Sequence, residues 1–225
     1  MLVKRNLCIY AHENSRVISD FEKLLRGYSL DPKGQVLVEV LKKFAHISSE
    51  GLIAIPKINS ESVNSRRKGL IGTIFSAYLY RESMHKGSLV ATLDSKEASV
   101  WISHFENDND RADLIGLWFD EDNNTLNFDV LEVKTRDEDP DEEHATEQSL
   151  KIKNILNSIF NEECNDIFWA SRREVLKKQL VNECFRGIND PDWQEKWEEI
   201  FNNIFTNSNS INVKINCYIY HIKLM

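Results

Sequence analysis

The stretch from Ala112 to Thr135 constrains the fold of this chain more than any other. Two apolar runs of strand length, Ala112 to Phe119 and Leu126 to Thr135, flank Asp120-Glu-Asp-Asn-Asn-Thr125, a cluster of turn-forming residues. That arrangement predicts a hairpin of two antiparallel strands. Side chains alternate between the faces of a strand, so Phe128, Val130, Glu132 and Lys134 fall on one face, and Asp113 shares its face with Ile115, Leu117 and Phe119. Each strand thus carries charge at one end of an otherwise apolar face. In an antiparallel pair the start of one strand lies beside the end of the other, so Asp113, Glu132 and Lys134 are expected to converge at one edge of the sheet.

The flanking segments extend the pattern. Leu70, Ile71, Ile74, Ala77 and Tyr78 recur at helical spacing and predict a helix from Arg67 to Glu82, ended by Gly87. Ser88 to Leu93 reads as a short strand and Ser95 to Phe105 as a helical or irregular crossover. Ile152, Ile155, Leu156 and Ile159 mark a helix from Ala145 to Phe160, and Asp166 to Ala170 is expected to supply one more strand. The core order is then helix, three strands, helix, strand. Before it, residues 2 to 11 read as a strand, 15 to 26 and Gln35 to Ala45 as helices, and Ser48 to Ser65 as mostly loop, with a strand at Leu52 to Ile55. After it come helices at Arg172 to Cys184 and Asp192 to Phe205, then a β-rich run from Ile211 to Leu224. The organisation expected is an N-terminal extension over 1–65, a core over 66–170 and a C-terminal addition over 171–225.

Charge is divided unevenly along the chain. Its formal net charge is -8, yet residues 1–90 carry 14 Lys/Arg against 8 Asp/Glu and the rest 14 against 28. Attraction of a polyanion would fall to the first part, with Arg66, Arg67 and Lys68 as candidate DNA-binding residues. The acidic run over residues 136–143 reads as a solvated loop. No stretch has the length and apolarity of a membrane span, and the N-terminus lacks the apolar core of a signal peptide, so the expected compartment is the cytoplasm. Cys8, Cys164, Cys184 and Cys217 are widely spaced and read as reduced core thiols. The six histidines form neither an HxH nor an HExxH pattern, and the five tryptophans read as core residues rather than base-stacking platforms.

Asp113, Glu132 and the main-chain carbonyl of Val133 form an oxygen-rich set of the kind magnesium takes while keeping several waters. Such an ion neutralises phosphate charge and acidifies water, and Lys134 is placed to orient that water or to stabilise developing negative charge. The competing reading is a surface ion cluster at a strand end. What favours chemistry is the ensemble of aspartate, hairpin and flanking helices in this order. Gln148, four residues before Ile152, turns an amide toward the sheet or satisfies backbone groups at the helix start. Asp94 is either a third acidic ligand or the cap of the helix that follows.

Arg111-Ala-Asp113-Leu-Ile-Gly and Leu131-Glu132-Val-Lys134-Thr resemble the aspartate and ExK motifs of the PD-(D/E)xK nuclease superfamily. The resemblance covers residues 67 to 170, with Ala112 where the motif's proline stands. It implies an α/β fold with a restriction-endonuclease-like αβββαβ core, a mixed sheet flanked by helices, and N-terminal and C-terminal additions. It also implies a catalytic set of Asp113, Glu132, Lys134 and Gln148, and a Mg2+ (or Mn2+) ion at Asp113, Glu132 and Val133. The expected function is metal-dependent hydrolysis of DNA, with a nuclease-fold module that only binds DNA or a partner, or an RNA-directed nuclease, as alternatives. More narrowly, Ser88-Leu-Val-Ala-Thr-Leu-Asp94 and Trp101, followed by these motifs, resemble nuclease domains that accompany helicase or translocase ATPases in bacterial anti-phage and restriction systems. The chain shows no GxxxxGK[ST] loop and no sequence-reading module, so an ATPase or other defence subunit is the expected partner, with a second copy of the chain as the alternative occupant of the docking elements. The C-terminal helices and the β-rich ends are the candidate docking elements, unless they pack on their own core.

Overall fold

The computed structural model describes residues 61–83, 87–102, 111–135, 142–160, 167–188, 190–205 and 211–222. The segments expected between residues 2 and 55 lie outside them. The described elements are α1 (Glu61–Ser83), β1 (Leu89–Thr92), α2 (Lys96–Ile102), β2 (Leu114–Asp120), β3 (Thr125–Lys134), α3 (Glu142–Phe160), α4 (Ile167–Gly187), α5 (Pro191–Phe205) and β4 (Asn212–His221). The fold is α/β, built on a four-stranded mixed sheet in the order β1-β2-β3-β4. The β1–β2 and β2–β3 pairs are antiparallel and β4 runs parallel to β3.

The hairpin forms where the turn residues place it. Asp120 accepts hydrogen bonds from the Asn123 backbone at 3.2 Å and from its side-chain amide at 2.8 Å. Asn124 takes the left-handed conformation, φ 47°, which asparagine tolerates better than most residues. Opposite each other across the pair lie Ile115 and Val130, and Leu117 and Phe128. These side chains enter a core that also contains Ile152, Ile155, Leu156 and Ile159 of α3, Leu176 and Leu180 of α4, and Trp197, Ile200 and Phe201 of α5. Phe160 links this core across the crossover, its ring 5.1 Å from that of Phe128 and 5.7 Å from that of Phe205.

The other face of the sheet is covered by α1, through Ile71, Ile74, Ala77 and Tyr80. A Cβ on Gly116 would lie 2.3 Å from the Tyr80 ring, so the missing side chain is what lets the helix approach β2 there. The helix begins at Glu61, earlier than Arg67. Ser62, Asn64 and Ser65 read locally as loop, but their helical penalties are only a few tenths of a kcal/mol each, and continuity with a well-packed segment outweighs them.

One expected strand is a helix. Ile167 to Ala170 open α4, and the sheet's fourth strand comes instead from Asn212–His221. The aromatics Phe168 and Trp169 gave that segment its strand-like composition. In α4 they fall four and three residues before Arg172, whose guanidinium carbon sits 4.2 Å and 5.0 Å from their ring centres. Burial at Arg172, Leu176, Gln179, Leu180 and Glu183 follows the helical period. The C-terminal helices and strand thus pack on the core, with β4 at the edge of its sheet. No helix among the described residues is long and apolar enough to cross a membrane.

Candidate active site

The site arises where β3 outruns β2. Their backbone pairing ends at Leu114 opposite Leu131, while β3 continues to Lys134 with β4 alongside it as far as His221. Beyond the last β2–β3 pair a side chain replaces the ladder: the Val133 N–H donates to Asp113 Oδ2 at 2.8 Å. On its other flank, the Asp113 carbonyl accepts from the Leu93 N–H at 2.9 Å, which holds the aspartate between β1 and β3. The N–H and C=O of one strand residue project to the same side, so the Val133 carbonyl also faces the Asp113 flank.

Glu132 is 3% exposed and lies on the face of Phe128 and Val130. Lys134 Nζ lies 2.6 Å from Glu132 Oε1 and 2.9 Å from Gln148 Oε1, and Gln148 Nε2 donates to the Arg111 carbonyl at 3.3 Å. Gln148 therefore ties α3 to the ends of both hairpin strands. Asp113, Glu132, Lys134 and Gln148, placed by sequence at one edge and on one helix face, are brought together there. Arg66, Arg67 and Lys68 lie on α1.

Burial dominates the electrostatics of Asp113. It raises the carboxyl from 3.8 to about 6, against the lowering effects of the Val133 N–H and of Lys134, with the Asp94 charge adding to the rise. Asp94 does not cap α2: the cap is Ser95, whose hydroxyl accepts from the Ala98 N–H at 3.0 Å. Asp94 pairs instead with Arg111 Nη2 at 3.0 Å. This pair is not legible as such in the sequence, because it joins a residue after β1 to one before β2.

A second buried carboxylate, Asp129, shows what a structural aspartate looks like in this fold. It stands opposite Gly116 and Asn216 on the α1 face. It accepts from the Tyr80 hydroxyl at 2.7 Å, the Trp118 indole at 3.1 Å and the Asn216 amide at 2.8 Å. Burial first, and the Asp129 charge second, hold the Tyr80 hydroxyl far above its ordinary range, so it remains a donor. Asp129→Ala is expected to cost about 3 kcal/mol of stability by stranding these donors. Urea unfolding of the variant within about 1 kcal/mol of the parent would contradict that role. A charged residue amid the apolar pattern of β3 was the available sequence signal, since a buried carboxylate needs donors.

Asp113 differs from Asp129 in kind. It sits at the end of its strand beside a second carboxylate, an ammonium group and a main-chain carbonyl. Two carboxylates plus a carbonyl are hard oxygen donors in the number magnesium uses when waters and substrate phosphate complete its shell. Among the described residues there is no group of three or more His, Cys, Asp or Glu suited to a metal ion. The Cys217 thiol, half-buried on β4, donates to the Ser149 carbonyl at 3.6 Å, and burial pushes its pKa up. No family model, curated protein or solved structure matches the chain.

Proposed function

We propose that this protein is a metal-dependent nuclease that hydrolyses DNA phosphodiester bonds as the effector of an anti-phage or restriction complex. The observation that carries this reading is the convergence of Asp113, Glu132, Lys134 and Gln148 at the open end of the β2–β3 pair. The order of helix, three antiparallel strands, helix and a strand parallel to the third agrees with a restriction-endonuclease-like core, with α4 and α5 inserted before the last strand.

Asp113, Glu132 and the Val133 carbonyl would hold a magnesium or manganese ion. The chemistry such a cation supplies is neutralisation of phosphate charge and acidification of water. The chain's own groups do the rest. The ion pair with Glu132 and the contact with Gln148 Oε1 hold the Lys134 ammonium in place. There it orients the attacking water and stabilises charge on the phosphoryl oxygens. The water oxygen bonds to phosphorus as the bond to the leaving sugar oxygen breaks. The attacking water gives up one proton to solvent and the leaving oxygen takes one from solvent, so atoms and charge balance. Gln148, fixed to the Arg111 carbonyl, keeps Lys134 in register with Asp113.

The test is incubation of the purified protein with closed circular DNA in magnesium, in manganese and in chelator. Conversion to nicked or linear DNA in either ion, and none in chelator, is the expected result. Binding without cutting in both ions would favour the module reading, and cutting of RNA alone would move the substrate class. Target choice belongs in this reading to a separate ATPase or defence subunit.

A further inference from the structure

The pair formed by Arg111 and Asp94 joins two groups of opposite accessibility. The Arg111 side chain is 16% exposed, whereas that of Asp94 is 91% exposed. The guanidinium is held from below: Arg111 Nη1 donates to Ser99 Oγ at 3.0 Å, and the Ser99 hydroxyl in turn donates to the carbonyl of the α2 cap, Ser95, at 3.0 Å. Its backbone is held as well, since its carbonyl accepts from Gln148. Arg111 is therefore a positioned fork of donors two residues from Asp113, closed on its outer side by an exposed carboxylate.

With the Asp94 carboxylate 91% exposed, the pair is screened by solvent on that side, and Arg111 keeps its bond to Ser99 when Asp94 swings away, so parting the two costs little. A phosphate offers the same guanidinium two oxygens in matching geometry and carries its charge on a rigid backbone. We propose that Arg111 is a phosphate-binding residue at this edge of the sheet, and that Asp94 occupies in the free protein the position a nucleic-acid phosphate takes on binding. The proposal rests on the nuclease reading for the identity of the polyanion. It adds a contact outside the metal-binding set and a carboxylate that competes with substrate. The contact orients the strand by reaching a phosphate beside the one that is cut.

Binding of a short fluorescein-labelled DNA duplex, followed by anisotropy in chelator at several salt concentrations, tests this without any cleavage. Arg111→Gln is expected to weaken binding about tenfold and to reduce the slope of log affinity against log salt by about 0.9, one phosphate contact. Asp94→Asn is expected to tighten binding roughly threefold, a gain that misfolding cannot produce. In the double variant that gain is expected to vanish, because Asp94 acts through Arg111. Affinity and salt slope unchanged by Arg111→Gln would overturn the proposal, as would Asp94→Asn weakening binding as much as Arg111→Gln does. Cleavage by the parent protein with affinity indifferent to Arg111 would defeat this inference alone. Arg111-dependent binding with no cleavage in any divalent ion would defeat the nuclease reading alone. A protein that does not bind the duplex at all would defeat both.

Discussion

Lys134→Ala is expected to lower the rate of DNA cleavage by at least about a hundredfold, while changing affinity for an uncut duplex less than about threefold. Affinity for a polyanion is spread over several basic residues, so one ammonium group contributes little to it. Charge that develops at the phosphoryl group is local, and Lys134 is the ammonium group held beside both Glu132 and Gln148. The substitution also leaves Glu132 buried without its ion-pair partner, which by itself can destabilise a fold by a few kcal/mol. The rate must therefore be compared at a temperature where melting curves show both proteins folded. Lys134→Arg separates the two effects: it keeps a cation for Glu132 but replaces a compact ammonium group by a planar fork. Near-parental stability with a rate still reduced at least tenfold is the expected result for that variant. Cutting by Lys134→Ala at the parental rate would remove Lys134 from the mechanism.

Local signals make the hairpin and its charged end legible in the amino-acid sequence. The Asp120–Thr125 turn fixes the direction of the second strand, and strand periodicity then puts Asp113 and Glu132 at one edge. Helical periodicity in the same way places Gln148 on the sheet side of α3. What local spacing does not convey is pairing between distant segments. The alternation of Val213, Ile215, Cys217 and Ile219 identifies a strand, but nothing local says that it will lie parallel to β3 after two further helices. A short aromatic run at Ile167 to Ala170 offers a nearer candidate, and only the longer helical period that continues to Glu183 resolves it. The Arg111–Asp94 pair and the donors around Asp129 are illegible for the same reason. Each is assembled from elements whose adjacency is a property of the completed sheet, and no spacing within one segment encodes it.

Asp113→Asn is expected to stabilise the protein above neutral pH while abolishing cleavage. Burial raises the folded-state carboxyl from 3.8 to about 6, so the folded protein holds this proton more tightly than the unfolded chain does. The stability associated with protonated Asp113 is therefore full below about pH 4, is lost as pH rises through 6, and is absent above about pH 7. Over that range the loss is on the order of a few kcal/mol, since each pKa unit corresponds to about 1.36 kcal/mol. The asparagine side chain mimics the neutral form, and its carbonyl oxygen can still accept from the Val133 N–H, so the variant avoids that loss. In chelator at pH 8 it should melt above the parent by several degrees, and the gap should close as pH falls toward 4. Magnesium should then narrow the gap from the other side, by stabilising the parent and leaving the variant unchanged. Superimposable melting curves at pH 8 in chelator would show that Asp113 is not the buried carboxylate described here. A gap that magnesium does not narrow would separate the buried carboxylate from any cation site. The expected pair of results would tie the instability of the edge to the proposed chemistry: a carboxylate that costs the fold stability when ionised would be compensated by the cation that the proposed catalysis requires.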